Sequence, residues 1–224
     1  MHFFIFVFSK KKFEKPNPLN GNPIMKILLL ISSFLPVLAF GSSKTFDFKD
    51  PKGVNTIIFQ LDALLESISG SAGGISGNIS FDPENPGLTK GSIILDASSL
   101  RVDNPVLQEH MHGENWLNVS KYPNIEFSLS NLREVKKENR SITAIADGKM
   151  TIRNVTLKMS TPVELTYLAG MLEKRNKTPG DLLVVRSKFT VSREEFGIKP
   201  GEYLDKVAND IAISINLAGA YPFK

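Results

Sequence analysis

Val185-Arg186-Ser187-Lys188-Phe189-Thr190-Val191-Ser192 and, further on, Ile211-Ala212-Ile213-Ser214-Ile215-Asn216-Leu217-Ala218 decide how this chain folds. In the first run Val185, Ser187, Phe189 and Val191 alternate with Arg186, Lys188, Thr190 and Ser192. In the second Ile211, Ile213, Ile215 and Leu217 alternate with Ala212, Ser214, Asn216 and Ala218. A period of two reads as a strand with one buried and one wetter face. Ile125, Phe127 and Leu129 repeat the pattern against Glu126, Ser128 and Ser130. Weaker strands are read at Thr56–Asp62, Gly77–Phe81, Ser92–Asp96, Ile142–Ile152 and Thr161–Tyr167. Turn residues at Asp82–Gly87, Lys137–Arg140 and Asn176–Gly180 separate them. One helix is expected: Asn104 as N-cap, Pro105 first, Val106–His112 onward, Gly113 as the stop. A second short helical turn is placed at Glu194–Gly197 or Tyr203–Ala208. The chain therefore reads as all-β and antiparallel, with about eight strands and one or two short helices. Patterning alone leaves barrel and sandwich both open.

Charge needs locating before it is interpreted. The 224 residues carry a net +4. Met25-Lys26, the apolar run Ile27–Leu38 and the small residues Ala39 and Gly41 have the layout of a secretory signal peptide, cut before Ser42. Residues 1–24 fit no such layout and are read as a disordered over-extension ahead of a start at Met25, with a long, unusual n-region starting at Met1 as the alternative. Residues 1–41 hold five of the 27 basic residues and one of the 23 acidic ones, so residues 42–224 carry 22 of each. That single domain is neutral. Nucleic-acid binding loses its electrostatic footprint.

Catalytic and metal chemistry are also sparse. With no cysteine, disulfides, thiol catalysis and zinc-finger sites are excluded. There is no G-x-S-x-G and no H-E-x-x-H, and Asp62, Asp96, Asp147 and Asp210 form no paired-carboxylate pattern. No enzymatic activity is expected. His110-Met111-His112 would chelate from a strand, with Glu109, Glu114 or Asp103 as third ligand. On a helix the two rings point about 200° apart, so no metal site is expected. His110 is given a structural hydrogen bond and His112 a solvated place. The glycine-rich Gly70–Gly77 lacks the Lys-Ser/Thr ending of a phosphate cradle and reads as a strand or bulge.

Several motifs in order resemble one family. They are Leu95-Asp96-Ala97-Ser98-Ser99-Leu100, Glu109-His110-Met111, and the block from Trp116 through Lys121-Tyr122-Pro123-Asn124-Ile125-Glu126-Phe127. Downstream follow Gly148-Lys149-Met150-Thr151-Ile152, Val155-Thr156, Arg193-Glu194-Glu195-Phe196-Gly197-Ile198 and Asp210–Ile215. Together they resemble the YceI-like family, from about Asp50 to Ala220. The resemblance implies an antiparallel lipocalin-like barrel in the bacterial periplasm whose apolar interior holds a long-chain amphiphile. Polyisoprenoids and isoprenoid quinones are the implied ligands, with fatty acids or amides as the alternative, and no cofactor beyond the bound lipid. Ala72 and Ile75 stand where that family carries aromatics; an inward Ala72 would widen the barrel there.

A closed eight-stranded barrel is just wide enough for one elongated ligand, and a ten-residue strand spans roughly 33 Å. Burying a tail is favourable by about 0.8 kcal/mol per CH₂. A tunnel needs no catalytic residue to act. The residues expected along its wall are Phe59, Leu61, Ile125, Phe127, Leu129, Met150, Leu165, Tyr167, Phe189, Val191, Ile213 and Ile215. The bland alternative is that they fill a solid core, making the chain an interaction module without ligand. Trp116, the sole Trp, is placed at the barrel mouth or in the core. Arg193 is either a headgroup ligand or an ion-pair partner of Asp205, Asp210 or a strand carboxylate. Transient membrane contact and a homodimer stay open as further partners.

Overall fold

The computed structural model describes residues 43–224; the leader readings, residues 1–24, 25–41 and the cut before Ser42, lie outside the described residues. Eleven strands form one antiparallel sheet. In chain order they are β1 (Lys44–Asp47), β2 (Thr56–Asp62), β3 (Ser67–Ala72), β4 (Ile75–Phe81), β5 (Lys90–Asp96) and β6 (Arg101–Val102). After α1 (Pro105–His112) come β7 (Asn124–Glu138), β8 (Ser141–Ile152) and β9 (Val155–Leu168), then α2 (Leu172–Asn176), β10 (Gly180–Ser192) and β11 (Asp210–Pro222). The order β1-β4-β5-β7-β8-β9-β10-β11 closes into an eight-stranded ring where Asp47 of β1 meets Ala220 of β11. Sandwich is excluded and barrel stands.

The short strands complete the same ring. β2 continues β1 along β11, pairing Thr56–Gln60 with Asn216–Ala212. β3 and β4 are one strand broken at Gly73-Gly74, and β5 and β6 one strand broken by a 3₁₀ turn at Ala97–Ser99. The two breaks lie against each other. A Cβ on Gly74 would come within 2.8–2.9 Å of Ser99 and Asp96 side-chain atoms, so only glycine permits the approach. Asp96 fixes the turn by accepting from the Ser98 N–H at 2.9 Å.

The long strands lie where alternation put them, although β9 begins at Val155, ahead of the expected Thr161. α1 has the anticipated caps: Asn104 Oδ1 accepts from the Val106 and Leu107 N–H groups, and the Gly113 N–H donates to Glu109 and His110 carbonyls. Glu194–Phe196 forms the expected 3₁₀ turn, whereas 203–208 has no helix. β1, β6 and α2 were not anticipated.

One end of the barrel is solid. Phe46, Phe48, Phe81 and Leu183 are fully buried there. Tyr167 and Tyr221 join the plug, with ring centroids 5.8–6.3 Å from Phe46. Below the rings Lys44 Nζ donates to Asp181 at 2.6 Å and to the Tyr167 hydroxyl at 2.7 Å. The Gly170 N–H donates to the other Asp181 oxygen at 2.7 Å. Burial pushes the Asp181 carboxyl up, but the Lys44, Gly170 and Tyr167 hydrogen bonds outweigh it and leave the pKa below 3.8.

Candidate functional site

Above this plug the barrel is hollow. A cavity of about 900 Å³ runs up its axis to the opposite end, at the large end of the range for small-molecule sites. Many inward apolar side chains, among them Ile57, Ile125, Phe127, Phe189, Ile213 and Ile215, are only half-buried. In a filled barrel such positions would have no accessible surface. Two local features make the room. Small residues such as Ala146 stand on the inner face of β8. Large rings lie flat on the wall: Phe59 covers Gly70, and Phe127 covers Gly148, where a Cβ would sit 2.3 Å and 2.7 Å from the rings.

All but one of the expected residues border this lumen: Phe59, Leu61, Trp116, Ile125, Phe127, Leu129, Met150, Leu165, Phe189, Val191, Arg193, Ile213 and Ile215. Tyr167 is placed elsewhere, in the plug, with its hydroxyl donating to Asp181 at 2.8 Å. Ala72 and Ile75 are buried; Ala72 pairs with Ile57 across the strands, but neither borders the lumen. Ile57 and Val185 line the lumen and were missed, although continuing the alternation from Phe59 and Phe189 reaches both. Met111, Leu117 and Val207 come from irregular segments or the helix, which carry no period-two signal. Thr161 and Ser187 put hydroxyls on the wall, 3.2 Å apart.

The mouth is bordered by α1 with its following turns and by the loop 194–209. Arg193 organises that loop. Its guanidinium donates to the carbonyls of Ala208, Ile198, Lys199, Glu202 and Val207 at 2.5–3.1 Å. These use all five of its N–H donors, and the residue is 2 % exposed. The structure gives it a third role: Arg193 pins a loop through backbone carbonyls and forms no ion pair among the described residues. Burial pulls its pKa down, and the Glu194 and Glu202 charges act against that. Hydrogen bonds to a charged group contribute about 1.5–3 kcal/mol each, so the loop is firmly held.

Trp116 is at the mouth, as one of its two readings had it. Its ring lies 5.7 Å from the Arg193 guanidinium and 6.1 Å from Tyr203 of the loop. On the other side the Leu65 N–H donates to the Asp205 carbonyl at 2.8 Å, tying the β2–β3 turn to the same loop. The histidine roles are exchanged. His112 donates from Nε2 to the Leu100 carbonyl at 2.8 Å, while His110 is exposed beside the mouth. Among the described residues no three His, Cys, Asp or Glu side chains gather as metal ligands.

A closed antiparallel barrel with an apolar lumen, blind at one end, defines the class: a lipocalin-like barrel with room for an elongated apolar molecule. The YceI-like domain matches residues 50–218, and the chain belongs to that family. A UPF0312 protein of Yersinia pestis is 30 % identical over 146 residues, covering 64 % of this chain and 73 % of the relative. Among solved structures, Burkholderia cenocepacia BcnA is similar with a TM-score of 0.59 at 17 % identity, over 73 % of this chain and 95 % of that one. A polyisoprenoid binding domain from Saccharophagus degradans shares the fold with a TM-score of 0.58 at 8 % identity, over 80 % and 99 % of the two chains.

Proposed function

We propose that this protein binds the tail of a long-chain amphiphile in its barrel, and so carries or sequesters a lipid of the polyisoprenoid or isoprenoid-quinone class. The observation that carries the reading is the lumen: about 900 Å³, apolar, blind at the Phe46–Phe81 plug and open at the Trp116 end. Family membership supports it, as does the shared fold of a domain described as polyisoprenoid binding. The function is binding rather than catalysis, and the bound lipid takes the place of a cofactor. The Met25–Gly41 leader supports export to the periplasm, where a lipid shuttled between membranes needs a soluble shelter. Mass spectrometry of an organic extract of the purified protein tests the reading. A co-purifying polyprenyl compound is expected; a fatty acid or amide would move the ligand class, and repeatedly empty extracts would remove the function.

A further inference from the structure

The barrel wall is not paired all the way round. β9 and β10 are hydrogen-bonded only from Leu182↔Leu168 to Ser187↔Val163. Above that point β9 (Val155–Pro162) pairs only with β8, and β10 (Lys188–Ser192) only with β11. Pro162 has no N–H to continue the ladder. At the foot of the split side chains substitute for it: Ser187 Oγ donates to the Pro162 carbonyl at 2.6 Å. At the top Arg153 reaches the Gly197 carbonyl at 3.3 Å. Between these bonds the seam is sealed by apolar packing of Leu157 and Met159 with Val191, Phe196 and Ile198.

The outer margin of the seam is basic. Lys149 and Lys158 are direct cross-strand partners, and both are exposed, as is Lys188 on the facing edge. Like charges placed opposite each other destabilise a sheet. None of the three lysines has an ion-pair partner among the described residues. Nearby carboxylates are engaged elsewhere: Asp147 with Arg133 and Ser160, and Glu164 with Ser141. Unpaired cations on both sides of an apolar seam are complementary to an anionic lipid surface.

We propose that the β9–β10 seam is a lateral portal, docked by Lys149, Lys158 and Lys188 on an anionic bilayer, through which the lipid tail enters and leaves the lumen. The inference rests on the barrel being a lipid container. Widening the open mouth would break the contacts that hold its loop, those of Arg193, Leu65–Asp205 and Trp116–Tyr203, and the seam parts without them. Parting the seam breaks no strand-to-strand backbone hydrogen bond.

The chain has no cysteine, so paired thiols can be introduced cleanly. The full chain carrying Ser160→Cys and Thr190→Cys is bridged with a cleavable bifunctional thiol reagent. Leu65→Cys with Asp205→Cys staples the mouth loop instead. Uptake is followed by quenching of Trp116 fluorescence from phosphatidylglycerol vesicles carrying an isoprenoid quinone. The seam bridge should slow uptake about tenfold or more, cleavage should restore it, and the mouth staple should leave the rate unchanged. Slowing by the mouth staple alone, or by neither, overturns the portal. In a second arm Lys149→Gln with Lys158→Gln should weaken binding to phosphatidylglycerol vesicles about thirtyfold and leave phosphatidylcholine vesicles unaffected. Equal binding of the unaltered protein to both overturns the docking surface. If the unbridged protein takes up no quinone and its extracts are empty, the container reading has failed rather than the portal.

Discussion

Arg193 and Asp181 are the two charges that the barrel buries deepest, one at each end, and each is held by a different chemistry. Arg193 is surrounded by carbonyl oxygens of its own loop, so its role is geometric. Lysine has three donors and no planar fork. Arg193→Lys therefore leaves at least two carbonyls unpartnered and should lower stability by about 1–3 kcal/mol in a urea melt. Faster proteolysis within 199–206 should accompany it. An unchanged melt with lost affinity for acidic lipids would return the guanidinium to headgroup binding. Asp181 responds to pH. Its folded pKa lies below the ordinary 3.8, so its contribution is complete above that value and disappears as pH falls through the lower, folded one. Thermal melts from pH 5 to pH 2 should show a drop that Asp181→Asn makes shallower, with Asp50, Asp62, Asp82 and Asp147, also held below 3.8, supplying the rest; the variant is already weaker at neutral pH. An equally steep acid loss in the variant would place the sensitive carboxylate elsewhere.

Elements differ in how much of their structure is local, and that decides what the sequence discloses. β10 and β11 alternate over enough residues for the inward set to be read directly, which is why Phe189, Val191, Ile213 and Ile215 all face the lumen. α1 was legible because its caps, Asn104 and Gly113, are side-chain and glycine signals adjacent in sequence. The shortest strands were not. β1 has four residues and β6 two, too few for any period to show. The Arg193 loop was illegible for another reason: its partners are backbone carbonyls, which leave no mark on residue type. Ala72, singled out by the resemblance alone, shows that a departure from a family pattern does not say what its neighbours leave room for. It ends β3 opposite Ile57, but it is buried in the core rather than bordering the lumen. Ala72→Phe should overpack that site, costing about 1–3 kcal/mol in a urea melt, with lipid content of the extract unchanged. Loss of bound lipid with no loss of stability would put position 72 on the lumen after all.

At the scale of the molecule, closure joins the beginning of the domain to its end, Asp47 to Ala220, and no local pattern contains such a contact. Hollowness is a property of the same kind. The alternating residues that line this lumen would serve equally well in a solid core, and the difference lies in where rings fold back over Gly70 and Gly148. A hollow barrel makes an unusual prediction about large substitutions. Val185 and Ile215 face the lumen, half-buried, on neighbouring strands β10 and β11. In a close-packed core, Val185→Phe with Ile215→Phe would force side chains off their rotamers at about 1–3 kcal/mol each. Here the added rings enter empty space and remove apolar surface from water, worth about 25 cal/mol per Å². The double variant should therefore unfold at the same urea concentration or a higher one. It should also yield no co-purifying lipid, and the quinone should no longer quench Trp116, because the tail and the rings compete for one volume. A lowered midpoint with the extracted lipid unchanged would mean that the lumen is neither empty nor the place where the ligand sits.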